Sequence, residues 1–547
     1  MPWALLSTMA HLLIFPPFIV VAAYLVYLVY RYSIRNDAPR LLPPGPKSLP
    51  ILGSIMDLPE KAQPEFQHWL KHREQYGPIS SMTVLGRTFI ILHDRQAAHD
   101  ILQKESAKSS DRPWAEFAFS LCGLSEFMVS RYDADFRHRR KLFHQQLGTA
   151  KLAARFDDVQ EVETRRFLLC VLNNPDATIK HLKYAMGSII LKMTYGYSVE
   201  PDGVDPLVNL IEQMTANLVK ATVPWLVDFI PALKHLPDGF PGSGFKETAR
   251  KWKKINQTVV NVPYMFVRRQ IAAGNCRQSY VSRLIEECKN GETDSKLRGD
   301  DEAAIKRTAA AMYAGGADTT VTAVTSFILA MVKFPEVQRE AQEAIDLLIG
   351  SDRLPNLADR AKLPYVEALV KEVFRWSPIA PLGIPHAMSE DTAYGGYLIP
   401  KGAVLVPMIW WFLHDPNVYA KPDLFNPQRF LEPQNEPDPK TILFGYGRRI
   451  CPGRFFADAN VFVLVAQILA AFNIRKAVDE HGNEIEPTLE LHPGLHSHLR
   501  EFPYKIEVRS PKHASLVRLI EVEQPRREGD SNLLDNDAIK ECLGHQG

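Results

Sequence analysis

The sequence predicts a mainly α fold with minor β, entered through one N-terminal transmembrane helix. Three observations carry this expectation. The chain opens with an uncharged apolar run, a proline-locked connector follows, and the body holds long helical patterns with only short strand pairs.

The first charged side chain is Arg31, and residues 12–30 are almost wholly apolar. At about 1.5 Å per residue this run nearly matches a hydrocarbon core of about 30 Å. Pro16 and Pro17 interrupt it near one end, so the helix need not be straight. Tyr24, Tyr27, Tyr30 and Tyr32 suit an interface belt. A cleaved signal peptide would carry basic residues before the apolar run; here Arg31, Arg35 and Arg40 all follow it, which favours a retained anchor with a cytosolic body. Pro43-Pro44-Gly45-Pro46 is then a stiff, extended connector, because proline fixes φ and removes a donor.

In the body, residues 83–92 read as paired short strands around Gly86, and 396–407 as strand and turn. Residues 206–334 are mainly helical. One long helix opens on Asp300, Asp301 and Glu302 and stops at Pro335, in agreement with the helix dipole and helix punctuation. A shorter helix spans 362–377. After Ser510 the composition turns charged and mixed and reads as a poorly ordered tail. The expected organisation is an anchor over 1–36, a catalytic body over 37–510 and a flexible tail over 511–547.

Composition excludes several classes of function. Lys plus Arg is 64 and Asp plus Glu 63, so the net charge is +1 and no bulk-charge binding of nucleic acid is supported. With 46% hydrophobic and 23% charged residues the chain is not intrinsically disordered. The cysteines at 122, 170, 276, 288, 451 and 542 form no C-x-x-C pair, which argues against zinc ribbons, iron–sulfur clusters and disulfide scaffolds. No H-E-x-x-H or G-x-S-x-G motif is present.

Two segments carry chemistry. In the long helix, Gly315-Gly316-Ala317-Asp318-Thr319-Thr320 places two glycines where each costs about 1 kcal/mol relative to alanine. Either something flat approaches the backbone there, beside Asp318 and Thr319, or the glycines serve helix packing. The second segment is 444–454, where Phe444, Gly445, Gly447, Arg449 and Gly453 surround Cys451. A glycine loop before a helix exposes N–H donors around one sulfur and favours thiolate. One thiolate can be an axial ligand of haem iron, and its electron donation favours O–O cleavage. A phosphatase loop would need arginine six residues after the cysteine, where Ala457 stands. A cysteine protease would not account for the other segments. Glu372 and Arg375 share a helix face, and Arg429 offers a third member of a network; a solvated surface pair is the plainer reading.

Phe444, Gly447, Arg449, Cys451 and Gly453 match the F-x-x-G-x-R-x-C-x-G haem signature, so the chain resembles the cytochromes P450 of microsomal type. Glu372 and Arg375 match the E-x-x-R pair. Arg429 matches the P-E-R-F arginine, with Gln428 where glutamate is usual. Residues 315–320 match the oxygen-activating helix. The stretch 376–400 is similar to fungal secondary-metabolite monooxygenases of the O-methylsterigmatocystin oxidoreductase-like group.

The resemblance implies a cytochrome P450-like fold binding haem b (iron protoporphyrin IX) and a single-pass protein of the endoplasmic reticulum with its catalytic domain in the cytosol. It implies Cys451 as axial ligand, and Arg449, Arg140, His386 and Phe444 about the haem. Asp318 and Thr319 are then the proton-relay residues, and Glu372, Arg375 and Arg429 a structural network. The implied partners are membrane lipid, dioxygen, a lipophilic terpenoid or polyketide substrate and NADPH-cytochrome P450 reductase. Arg137, Arg139 and Lys141 are expected to help dock that reductase. The expected pocket includes Trp114, Phe117, Phe119, Leu121 and Phe127, each of which core packing would explain equally well. Phe136 stands where the family often has tryptophan, four residues before Arg140, which puts one propionate contact in question. A non-oxygenating haem-thiolate isomerase or dehydratase, or a haem-based sensor, is the alternative; neither needs Asp318 and Thr319.

Overall fold

The computed structural model describes residues 41–547 apart from 61–62, 125–128, 202–204, 290–298, 495, 527 and 544–547, together with Tyr24 and Tyr27. The anchor expected over 1–36 lies outside the described residues. Residues Gly299–Lys333 and Arg454–Ala471 are long and apolar enough to cross a membrane, but both are mostly buried inside the body.

Strands β1 (Ile79–Val84) and β2 (Arg87–Leu92) form the expected hairpin, with Leu85 and Gly86 turning at positive φ. Short strands β3 (His386–Ala387), β4 (Thr392–Tyr394), β5 (Tyr397–Ile399) and β6 (Val404–Pro407) follow, then β7 (Phe472–Arg475) and β8 (Lys505–Val508). The largest sheet has the order β1-β2-β6-β3; β6 runs parallel to β2, and β3 pairs antiparallel to β6 with His386 opposite Leu405.

The proline connector lies along this sheet. The Ser81 amide donates to the Pro44 carbonyl at 2.9 Å and its hydroxyl to Pro43 at 2.6 Å. A Cβ on Gly45 would sit 1.7 Å from the Ser81 carbonyl oxygen, so only glycine allows the approach.

The helices that position the site are α1 (Ala134–Leu147), α2 (Asp157–Asn173), α3 (Thr178–Tyr195), α4 (Pro206–Thr222), α5 (Gly244–Ala272), α6 (Gly299–Lys333), α7 (Pro364–Trp376) and α8 (Arg454–Ala471). Helix α6 crosses the body and packs on α3, α1 and α8. Its hydroxyls are absorbed locally: Thr319, Thr320, Thr322, Thr325 and Ser326 each donate to the carbonyl four residues back, so few polar groups go unmet in a largely apolar helix.

The residues after Ser510 correct the expectation from composition. They form helices α9 (Pro511–Glu523) and α10 (Asn536–Leu543). Helix α9 packs on α2 with Val517 and Ile520 buried, and α10 packs on α5 and α4 with Ile539 and Cys542 buried. Between them Asp530 is buried and paired with Arg277 at 2.6 Å. Charge dominates the composition of this stretch, but Val517, Ile520, Leu534, Ile539 and Cys542 reach the core, while Leu519, Val522 and Leu533 stay exposed.

Candidate active site

The loop before α8 is built by its glycines. Gly445 and Gly447 hold φ of +79° and +53°, and a Cβ at Gly447 would meet the Leu102 carbonyl oxygen at 2.6 Å. The Gly447 amide donates to Gln103 Oε1 at 2.6 Å. A short 3-10 turn, Gly447–Arg449, brings the chain round so that the Cys451 amide donates to the Phe444 carbonyl at 2.8 Å. The Phe444 ring meets Phe374 of α7 edge-on at 5.9 Å. Burial pushes the Cys451 thiol up; the Gly453 amide, Arg140 and Arg454 pull it down without overcoming burial. The loop donors therefore favour an anionic sulfur less than its glycine pattern suggests, and a cation in contact with the sulfur would supply the remaining stabilisation.

Beside this loop lies a cluster of buried basic side chains. Arg449 donates through Nε to the Ser110 carbonyl and through Nη2 to that of Ser130, both at 2.7 Å. Its buried Nη1 has no hydrogen-bond partner among the described residues. Arg112, which the sequence reading did not single out, donates through Nη1 to the carbonyls of Ile384 and Pro385, both at 2.7 Å. His386 donates from Nδ1 to the Ser109 carbonyl at 2.8 Å. Burial and then the charge of Arg112 hold His386 well below the usual histidine range, so the ring is neutral here and turns cationic only beside an anion. Burial likewise brings Arg140 and Arg449 down to about 10. The nearby Asp111 is committed to Arg131 and the Tyr132 amide. This concentration of buried positive charge suits a flat group carrying two carboxylates.

The ring of Phe136 of α1 lies 3.9 Å from the Arg449 guanidinium carbon and supports the cluster by cation–π contact.

At the centre of α6 the two glycines separate into different roles. A Cβ on Gly316 would lie 2.7 Å from Ile190 Cδ1 of α3, which is close helix packing. A Cβ on Gly315 would meet nothing within 4 Å, so this position opens into free space. The Thr319 hydroxyl donates to the Gly315 carbonyl at 2.8 Å. Its proton is thus committed and its oxygen is left to accept. Asp318 pairs with His498 at 3.1 Å.

Glu372, Arg375 and Arg429 form a buried network, not a surface pair. Glu372 and Arg375 are fully inaccessible. Arg375 grips the carboxylate with Nε at 2.7 Å and Nη2 at 2.9 Å, and Arg429 Nε adds a bond at 3.1 Å. Gln428, in the usual glutamate position, bonds Glu340; Glu436 gives Arg429 its second carboxylate at 2.7 Å. Arg375 also reaches the carbonyls of Leu413, Pro422 and Leu424, tying α7 to the chain that leads into the cysteine loop.

Two expectations need correction. Arg139 is buried and paired with Asp135 at 2.8 Å, so of the three basic residues only Arg137 and Lys141 present an exposed surface. Among the aromatic residues, Phe117 is core, stacked on Trp225 at 3.8 Å, while Trp114 is exposed and donates to Glu116. Phe127 lies outside the described residues. Phe119, Lys253, Asn256, Arg307 and Ala310 line a cavity of about 430 Å³ between α5 and α6.

The cytochrome P450 family model matches residues 43–500. A multifunctional cytochrome P450 monooxygenase of Aspergillus fumigatus is 48% identical over 517 residues, covering 94% of this chain and 96% of that protein. A cytochrome P450 monooxygenase of Gibberella zeae is 48% identical over 516 residues, covering 94% and 98%. An O-methylsterigmatocystin oxidoreductase of Aspergillus flavus is 38% identical over 511 residues, covering 92% and 95%.

Proposed function

The chain belongs to the cytochrome P450 family and is a monooxygenase of that family, and from that premise we propose that it inserts one oxygen atom of dioxygen into a lipophilic terpenoid or polyketide of fungal secondary metabolism. In this reading electrons come from NADPH through a separate reductase. Residues 1–36 anchor the protein in the endoplasmic reticulum membrane with the catalytic body in the cytosol.

The observation that carries the reading is the buried basic cluster beside Cys451. Arg112 and Arg449 donate to carbonyls, Arg449 Nη1 is left over among the described residues, and the cluster's charge calls for an anion. The two propionates of haem b answer that demand, with Arg112, Arg140, Arg449 and His386 to receive them and Cys451 to ligate iron. When bound, the haem supplies the redox chemistry of oxygen activation, which thiolate donation assists.

The chain's own residues do the rest. Arg140, Arg454 and the Gly453 amide steady the negative sulfur. Phe444 and the Glu372 network hold its loop in place. Thr319, its own proton spent on Gly315, accepts from a water and so orients that water's second proton. Burial pushes the Asp318 carboxyl up, but hydrogen bonding and charge from His498 hold it below the usual range, so it is a carboxylate able to take up a proton and pass it on. Exposed Arg137, Lys141 and Arg448 offer a positive face to an acidic reductase.

The test is to express the full chain with a reductase, supply NADPH and terpenoid or polyketide scaffolds, and run the reaction under isotopically labelled dioxygen. The expected product carries one labelled oxygen, with NADPH consumed. A rearranged or dehydrated product without label would replace this reading with the non-oxygenating one. Cys451→Ser should lose the thiolate-type absorption of the reduced carbon-monoxide adduct.

A further inference from the structure

Residues 496–498 bring His498 against Asp318, and we propose that His498 is the proton donor to Asp318, the outer member of the relay into the active site. The inference rests on the reading of Asp318 and Thr319 given above.

The contacts hold the ring from both sides. The Thr322 hydroxyl lies 3.1 Å from the Asp318 main-chain carbonyl and 3.3 Å from His498 Nδ1, and its one hydrogen can serve either acceptor. The other ring nitrogen, Nε2, faces Asp318 Oδ2 at 3.1 Å. A hydrogen on Nε2 fills this contact in either the neutral or the cationic ring. In the imidazolium, whose Nδ1 also carries hydrogen, the Nε2 proton can pass to Oδ2, leaving neutral imidazole and neutral acid.

The surroundings suit a relay. The His498 side chain is 40% exposed and that of Asp318 33%, so the ring can be recharged from water while still touching the carboxyl. The loop is pinned: the Ser497 amide donates to the Ile379 carbonyl and the His492 amide to that of His498, both at 2.8 Å. The charged and titratable groups facing the pair are Lys183 of α3 and His496 of the same loop, whose ring centroid is 6.4 Å from that of His498. Burial holds His496 below the usual histidine range, so it is a neutral neighbour.

The experiment compares full-length haem-loaded wild type with Asp318→Asn, His498→Ala, His498→Arg and the double variant Asp318→Asn/His498→Ala. Arginine keeps a cation beside Asp318 but does not give up its proton. Haem content and the carbon-monoxide spectrum check that each variant is intact. The first readout needs no turnover: infrared difference titration of the resting enzyme follows the Asp318 carboxyl, assigned by its loss in Asp318→Asn. In His498→Ala that carboxyl should protonate at higher pH than in wild type, and in His498→Arg it should not. The second is product formed and peroxide released per NADPH, with the scaffold that gives the largest NADPH consumption, across a pH series. His498→Ala should lower product per NADPH by about tenfold, His498→Arg should fail to restore it, and the double variant should be no worse than Asp318→Asn. Wild-type yield should fall as pH rises, and this limb should be flat in both His498 variants. Wild-type yield in His498→Ala, restoration by His498→Arg, or an Asp318 titration unmoved in His498→Ala would each overturn the inference and leave the monooxygenase reading standing. Wild-type coupling in Asp318→Asn would overturn the Asp318 relay and this inference with it.

Discussion

The guanidinium carbon of Arg449 lies 3.9 Å from the centroid of the Phe136 ring. Both side chains are buried, so the attraction acts in a desolvated setting, where such a contact is worth about 2 kcal/mol. The ring supports a cation that would otherwise depend on two carbonyls alone.

Phe136→Ala should therefore remove both packing and charge support. A buried phenylalanine-to-alanine change costs about 3–5 kcal/mol. The expected result is a lower melting temperature and less haem per protein, read by absorbance and pyridine haemochrome. Phe136→Trp keeps a π face over Arg449 and adds an N–H donor, so its haem content should equal or exceed that of wild type.

Among the described residues Glu372 is the sole side-chain carboxylate bound by Arg375, and its bonds to Arg375 and Arg429 are buried. Glu372→Ala leaves Arg375 buried without a counter-charge and takes one of two carboxylates from Arg429. Breaking such a pair costs about 3–5 kcal/mol. Expression should yield little haem-loaded protein. Glu372→Gln keeps acceptor geometry without charge and should fall between the two.

These two cases show where the sequence was readable. The cysteine loop was legible because φ-positive glycines, a cysteine and an arginine must stand at set spacings along one turn. Glu372 and Arg375 were legible as a pair, but their burial was not, since a solvated i, i+3 pair has the same spacing. Arg112 was missed because a lone arginine before Pro113 has no periodicity; its role arises from carbonyls of Ile384 and Pro385, far along the chain. Arg139 was misplaced because a basic run on an amphipathic helix turns one member inward. Asn256-Gln257-Thr258 is an N-glycosylation sequon, but the Asn256 side chain is buried within α5 and donates to the Gly123 carbonyl at 3.0 Å, so an absence of glycan would report burial and not topology.

Deleting 511–547 tests the packed C-terminal segment. It exposes the surfaces beneath Val517, Ile520 and Ile539, each worth about 1.5–3 kcal/mol when buried. It also leaves Arg277 without Asp530. The truncated protein should melt at lower temperature and lose haem faster. A melting temperature equal to wild type would show these helices to be dispensable.

Asp157, in the first turn of α2, makes stability depend on pH. Burial first, then Glu161 and Asp158, raise it from the ordinary 3.8 to about 6. A carboxyl raised in the folded state ionises at greater cost than in the unfolded chain, so the penalty is full above about pH 6 and gone below about pH 4. Asp157→Asn should stabilise the protein at neutral pH, with the difference from wild type shrinking as pH falls through this window. Thermal melts at several pH values measure it; a pH-independent difference would mean that the two states share one affinity for the proton.

The centre of α6 can be separated residue by residue. Alanine at Gly316 would press on Ile190 Cδ1 at 2.7 Å, an overpacking that costs about 1–3 kcal/mol. Alanine at Gly315 meets open space and gains about 1 kcal/mol of helix propensity, so it should stabilise the fold while filling part of that space. Opposite shifts in melting temperature, with weaker substrate-induced spectral change in Gly315→Ala alone, would assign one glycine to packing and the other to the site. Thr319→Ala then isolates the hydroxyl between them and the carboxylate. It removes the acceptor that orients a water but no support of the basic cluster or of Cys451, so haem content and substrate affinity should hold. Without that water in place, reduced oxygen should leave more often as peroxide. NADPH consumed, peroxide released and product formed in one preparation should show more peroxide and less product per NADPH. Thr319→Ser keeps the hydroxyl and its bond to Gly315 and should recover most of the yield. If Thr319→Ala couples as wild type does, the hydroxyl serves only its bond to the Gly315 carbonyl, and the proton route must run through Asp318 without it.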